Sequence, residues 1–158
     1  MHGKKLDEID IQLLRCLQEH GRIKRNELAE KVNLSIPSVS ERLHKFEENG
    51  IVRSYSCVLN ARKIGLEITA FIFLVCESSD YYSRIIENAL QKTEIQECHA
   101  ITGEGSHLLK VRVENTQALE KLLSEIQSWP GVRNTKTDVV LSSSKETTVL
   151  PLQHLTVD

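Results

Sequence analysis

Nine consecutive residues, Ile68-Thr69-Ala70-Phe71-Ile72-Phe73-Leu74-Val75-Cys76, contain one polar side chain. Their β-branched and aromatic content reads as a strand. Ile68, Ala70, Ile72, Leu74 and Cys76 fall on one side of it, Phe71, Phe73 and Val75 on the other. A strand with one wet face alternates apolar with polar residues, and this one does not, so both of its faces need cover. Helices of the same chain can supply one cover. The other needs a further layer, most simply a second subunit, which makes Phe71, Phe73 and Val75 the expected oligomer interface. The run is far short of the ~20 apolar residues that span a bilayer, and no other run approaches that length, so no membrane role is expected.

The residues that follow supply the rest of a sheet. Asp80 is placed to cap a helix through Ile85, Ile86 and Leu90. Strands are expected over 95–102 and 107–114, joined by Gly103-Glu104-Gly105-Ser106 as a hairpin turn. Thr116 opens a helix with Leu119, Leu122, Leu123 and Ile126 inward, and Trp129-Pro130-Gly131 ends it. A strand over 132–141 completes β-α-β-β-α-β, the ferredoxin-like split βαβ order, an antiparallel sheet with both helices on one face. The stretch 146–152 is β-prone and is expected to pair at a sheet edge; His99 and His107 are expected as surface or edge histidines.

The front of the chain has a different period. Asp7 precedes Glu8 and Asp10, acids suited to a helix N-terminus, and Ile9, Leu13, Leu14 and Leu17 form one apolar stripe. His20-Gly21 is expected to end this helix, with Gly21 left-handed. A second helix runs from about Arg25 to Val32, with Leu28, Ala29 and Val32 inward. Asn33 suits a left-handed turn, Ser35 suits an N-cap, and Pro37 is tolerated in a first turn. Val39, Leu43 and Phe46 carry the inner face of a third helix, which Asn49-Gly50 stops. Two helices joined by so short a turn form a helix-turn-helix pattern. The outer side of the third helix offers Ser38, Ser40, Glu41, Arg42, His44 and Lys45. Small hydroxyls can approach phosphates and base edges, and Arg42 and Lys45 suit a guanine edge or the backbone. With Lys24, Arg25 and Ser35 they make the expected DNA-binding set. Residues 51–60 are rich in β formers and are expected as a strand leading out of the bundle.

Composition narrows the function classes. Residues 1–65 hold 12 Lys and Arg against 9 Asp and Glu; the remainder holds 8 against 13. A basic front on an acidic back suggests two jobs, one of them touching a polyanion. Cys16, Cys57, Cys76 and Cys98 form no C-x-x-C pair, which argues against zinc or dithiol chemistry; no metal or cofactor is expected. The start, Met1-His2-Gly3-Lys4-Lys5, lacks an apolar stretch behind its lysines and is not a secretory signal, so a cytoplasmic protein is expected. The whole is an α+β chain: a winged-type helix-turn-helix domain over 1–52, a hinge over 53–66 and a ferredoxin-like domain over 67–158.

These motifs, in this order, resemble the Lrp/AsnC (feast/famine) family of transcription regulators. The resemblance rests on Leu6-Asp7-Glu8-Ile9-Asp10, Gly21-Arg22, Glu27-Leu28-Ala29, Leu34-Ser35, Glu41-Arg42-Leu43 and Gly50-Ile51-Val52 before Tyr55. It continues through Ile64-Gly65-Leu66, Thr102-Gly103 with Leu108-Leu109, and Thr147-Thr148-Val149-Leu150-Pro151-Leu152. It implies a sequence-specific regulator that binds double-stranded DNA, a dimer assembling further toward an octamer, and an amino acid or related effector at Thr102, Gly103, Glu104, Gly105, Ser106 and His107. The family commonly carries an Asp where Ser106 stands, able to hold an ammonium group, and an aromatic where His107 stands. Glu104 is then a substitute carboxylate, or the effector differs, or there is none. Two alternatives stand beside this reading: an Lrp-like tetrapyrrole decarboxylase, disfavoured by apolar sheet faces and few histidines, and a sensor or adaptor that does not bind DNA.

Overall fold

The computed structural model describes residues 6–155; the expectations resting on residues 1–5 and 156–158 lie outside it. The described chain divides into two compact units. One comprises the residues up to Val58 together with those from Lys145 onward; the other is Leu59–Ser144.

The first unit is built on three helices, α1 (Glu8–Glu19), α2 (Arg25–Val32) and α3 (Ile36–Glu48). Asp7 caps α1, as its position predicts, and shares a capping box with Asp10. His20 caps the C-terminus, its N–H bonded to the Cys16 carbonyl, and Gly21 is not left-handed as expected. Asn33 alone among the described non-glycine residues has positive φ, at 52°, and it turns the chain from α2 to α3. Leu13, Leu14, Leu28, Ala29, Val32, Val39, Leu43 and Phe46 form the core. The residues after α3 do not form the expected strand; 53–60 carry no regular structure. Tyr55 donates its phenol to Glu47 Oε1 at 3.0 Å, which brings this segment back onto α3.

The tail also departs from expectation. Residues 146–152 join no sheet edge. The Gln18 side chain instead donates to the Leu150 carbonyl at 3.2 Å and accepts the Leu150 N–H at 2.7 Å. One amide side chain thus satisfies both backbone groups that a neighbouring strand would otherwise pair. Leu152 packs against the helical core.

The second unit is a four-stranded antiparallel sheet with two helices: β1 (Ile68–Cys76), α4 (Tyr82–Leu90), β2 (Ile95–Ala100), β3 (His107–Val113), α5 (Thr116–Gln127) and β4 (Val132–Val139). Its order, β2-β3-β1-β4, is that of the split βαβ fold. Ser78, rather than Asp80, supplies the cap ahead of α4, accepting from the Asp80 N–H within a single 3-10 turn. Asn115 caps α5. Ala70, Ile72 and Leu74 of β1 are buried with Leu109, Val111 and Val113 of β3, Ile85 and Ala89 of α4, and Leu119, Leu122 and Ile126 of α5. Phe71, Phe73 and Val75 lie half-buried on the opposite face. That is the two-sided strand of the sequence, with one side covered.

Candidate functional site

The α3 helix is set by residues that each do one job. Ser35 accepts from the Ser38 N–H at 3.3 Å, and Pro37 sits in the first turn. Val39, Leu43 and Phe46 bury one side, leaving Pro37, Glu41, His44 and Lys45 exposed on the other. Ser38 and Ser40 are half-buried on the flanks. The exposed face is internally paired: Lys45 with Glu41, and His44 Nε2 with Glu48 Oε1 at 3.1 Å. Lys24 and Arg25 are exposed at the start of α2, where Lys24 occupies the cap position without making a side-chain cap bond.

Arg42 is placed differently from the outward role that its position in the sequence suggests. Its Nη1 lies 2.7 Å from Asp7 Oδ2 and 2.6 Å from Asp10 Oδ1. The other oxygens of those carboxylates close the capping box: Asp7 Oδ1 accepts the Asp10 N–H at 2.8 Å, and Asp10 Oδ2 accepts the Asp7 N–H at 3.1 Å. One guanidinium thus holds both acids of the α1 cap. Burial alone would lift the Asp7 carboxyl, but the Arg42 hydrogen bond and charge, with the backbone N–H bonds, bring it below its ordinary value. The same bonds raise Arg42.

The turn expected to receive an effector divides into two parts. Thr102, Gly103 and Glu104 are exposed, and Gly103 has a φ of 112° that favours glycine. Glu104 carries the turn's one carboxylate. Gly105 lies close to β1: a Cβ there would stand 3.2 Å from the Leu74 carbonyl. Ser106 faces inward. Its N–H donates to the Leu74 carbonyl at 2.7 Å, and its hydroxyl lies 3.1 Å from that carbonyl and 2.7 Å from Cys76 Sγ.

His107 is not the surface histidine of the sequence reading. It is 1% exposed, with Nδ1 3.1 Å from Ser106 Oγ and its ring set edge-on to Tyr82 at 4.7 Å between centroids. Burial pushes its pKa below the ordinary value. Alternation carried this signal: His107 shares its side of β3 with Leu109, Val111 and Val113. His99 does lie exposed on the edge strand, 3.2 Å from Glu97 Oε2. It pairs with Leu108, whereas His107 pairs with Ala100, so the two rings take opposite faces and cannot share a metal. Among the described residues no group of three His, Cys, Asp or Glu is arranged to hold one.

On the open sheet face Phe71 stands between Lys110 of β3 and Asp138 of β4. Phe73 stands between Leu108 and Lys136, whose Nζ lies 5.6 Å from the ring centroid. Ion pairs border this apolar strip, Lys110 with Glu97 at 3.1 Å and Lys136 with Asp138 at 3.7 Å.

Comparison with known proteins agrees with both halves of this geometry. Residues 6–53 match the winged helix-turn-helix DNA-binding family, and residues 69–150 match the Lrp/AsnC ligand binding domain. The leucine-responsive regulatory protein of Escherichia coli K12 is 36% identical over 155 residues, covering 96% of this chain and 94% of that protein. An HTH-type transcriptional regulator of Pyrococcus abyssi is 32% identical over 148 residues, covering 94% and 97%. The crystal structure of a Neisseria meningitidis transcriptional regulator in complex with L-Met superposes with a TM-score of 0.91 at 35% identity, covering 96% of this chain and 99% of that one. Helix-turn-helix, split βαβ sheet and these relatives converge: the chain belongs to the Lrp/AsnC family of DNA-binding transcriptional regulators.

Proposed function

We propose that this chain acts in the cytoplasm as a homo-oligomeric, sequence-specific regulator whose DNA affinity responds to an amino acid or a related small molecule. The observation that carries the DNA reading is α3 itself, capped by Ser35, buried along Val39, Leu43 and Phe46, and open along its other face. Ser38, Ser40, Glu41, His44 and Lys45 reach bases and phosphates of a major groove; Lys24, Arg25 and the Ser35 cap lie toward the backbone. Two copies present two such helices to half-sites roughly one helical turn, or a multiple of it, apart. The strip of Phe71, Phe73 and Val75, with one side of β1 uncovered, supports pairing of sheet units between copies and further assembly toward an octamer. On this reading the domains divide as a DNA-binding head over 1–52, a hinge over 53–66 and a sensing and assembly body beyond it.

The relative solved with L-Met supports an amino-acid effector here. Because Ser106 and His107 turn inward, Thr102, Gly103 and Glu104 remain to meet a ligand from the turn, with Gly105 shaping it and Glu104 offering the charge for an ammonium group. The test is selection of bound DNA from a random pool by the full chain, with and without each amino acid. A recurring inverted motif, enriched differently with one amino acid, is expected; recovery of no motif counts against the reading. Isothermal titration of Glu104→Gln with the active amino acid is expected to show affinity about tenfold weaker, equivalent to ~1.4 kcal/mol.

A further inference from the structure

The family assignment makes α3 the DNA-reading helix but says nothing of what fixes its direction. Apolar packing sets its depth: Val39, Leu43 and Phe46 hold one side in the core. Such packing is non-directional, and a helix seated on three apolar residues can still roll or tilt. Hydrogen bonds and ion pairs supply direction. Ion pairs link α3 to the α1 terminus through Arg42, which reaches Asp7 and Asp10 across 35 and 32 residues of chain.

The carboxylate oxygens are divided between the helix cap and the guanidinium. Asp7 Oδ1 and Asp10 Oδ2 close the cap of α1, while Asp7 Oδ2 and Asp10 Oδ1 take the same Arg42 Nη1. Two carboxylates so close repel one another, and the guanidinium offsets that repulsion. Removing Arg42 would therefore release α3 and unsettle the cap beneath it. Arg42 sits one position before buried Leu43 and three after buried Val39, on the flank of α3 rather than its outward ridge, and its side chain is 28% exposed.

We propose that Arg42 is a positioning residue for DNA recognition: with Asp7 and Asp10 it forms a three-residue clamp that fixes the direction of α3, and it contributes neither a phosphate nor a base contact. This rests on the DNA-binding reading and adds to it an unexpected role for two acids. An acid near DNA ordinarily weakens binding, so its removal should strengthen it; the clamp reverses that sign at the specific site.

The test uses the full chain and a fluorescent duplex carrying the sequence that the wild type recovers from a random pool, beside a scrambled duplex. Circular dichroism first confirms that each variant is folded. Arg42→Ala is expected to bind the specific duplex at least about tenfold more weakly, with an unchanged slope of log affinity against log salt; a lost phosphate contact would lower that slope by ~0.9. Asp7→Asn, which leaves Asp10 in place and is the milder change should Arg42→Ala fail to fold, is expected to weaken specific binding several-fold while leaving or strengthening binding to the scrambled duplex. Arg42→Lys, which keeps a cation in reach of both acids, should recover part of the loss.

A slope lowered by one charge in Arg42→Ala would make Arg42 a phosphate contact and overturn the proposal. So would relaxed preference at a single base pair, the mark of a base contact, or tighter specific binding by Asp7→Asn. A wild type that recovers no sequence would overturn the DNA reading itself, and the clamp's role with it.

Discussion

The two units of this protein are held together by different means. In the sheet unit, Ala70, Ile72, Leu74, Ile85, Leu109, Val111 and Ile126 are wholly buried, and helices of the same unit cover one face completely. In the helical unit the core is smaller, and the direction of its most consequential helix depends on three charged side chains near the surface. Burial of apolar surface is non-directional and scales with the area removed from water; charges at a partly wet site are screened by salt and respond to pH. The sensing half is therefore built to be stiff, and the reading half to be adjustable by small energies. Regulatory couplings of ~1–3 kcal/mol suit such a division.

The largest expected effect breaks the stiff side. Ile72→Ala leaves a cavity between β1 and the helices and should destabilise the sheet unit by about 2–5 kcal/mol, visible as an earlier denaturant midpoint for that unit while the helical unit keeps its own. Gly131→Ala comes next. Its φ of 85° disfavours a side chain, and a Cβ would stand 2.1 Å from Tyr81 Cγ; a loss of roughly 2 kcal/mol is expected in the same measurement.

His107 tests the claim that the sheet unit ignores charge. Its folded pKa lies below the ordinary 6.5, so the unfolded chain binds the extra proton first as pH falls. Stability of the sheet unit should be full above pH 6.5 and decline as pH falls below it, until the folded group also titrates. His107→Phe should flatten that part of the profile while keeping an edge-on ring contact with Tyr82.

The smallest effect belongs to the helical side. Ser35→Ala removes the cap of α3 and should cost about 1 kcal/mol of that unit's stability, read from its thermal midpoint. Acid acts on the same unit in the direction set by Asp7. Its lowered carboxyl supports folding above its unfolded pKa and loses that support as pH falls through the folded value.

What the sequence disclosed, and what it withheld, follows from the range of each interaction. Asp7, Asn33 and Ser35 act on residues within a few positions, so their roles were legible from local pattern. Strand β1 ends where its apolar run ends, because period two is a local property too. The partners of Arg42 lie more than thirty residues away, and no helical period announces them. Its position on the helix and its charge together suggest an outward role for Arg42; its place beside buried Leu43 is the one local clue that it faces another helix. Residue type points His107 toward the surface, whereas alternation with Leu109 and Val111 puts it inside. The stretch 146–152 has the composition of a strand, and its backbone does find a strand-like partner at Leu150, but that partner is one side chain, Gln18. Composition cannot distinguish the two.

That last contact has a practical bearing. The polypeptide departs from the helical unit near Val58 and comes back to it from Lys145, so its final stretch belongs, energetically, to the part that grips DNA. A cut or fusion placed just ahead of Leu150, which looks from the sequence like a harmless trim behind the sensor, would strip Gln18 of both its bonds and take Leu152 away from the α1–α3 core.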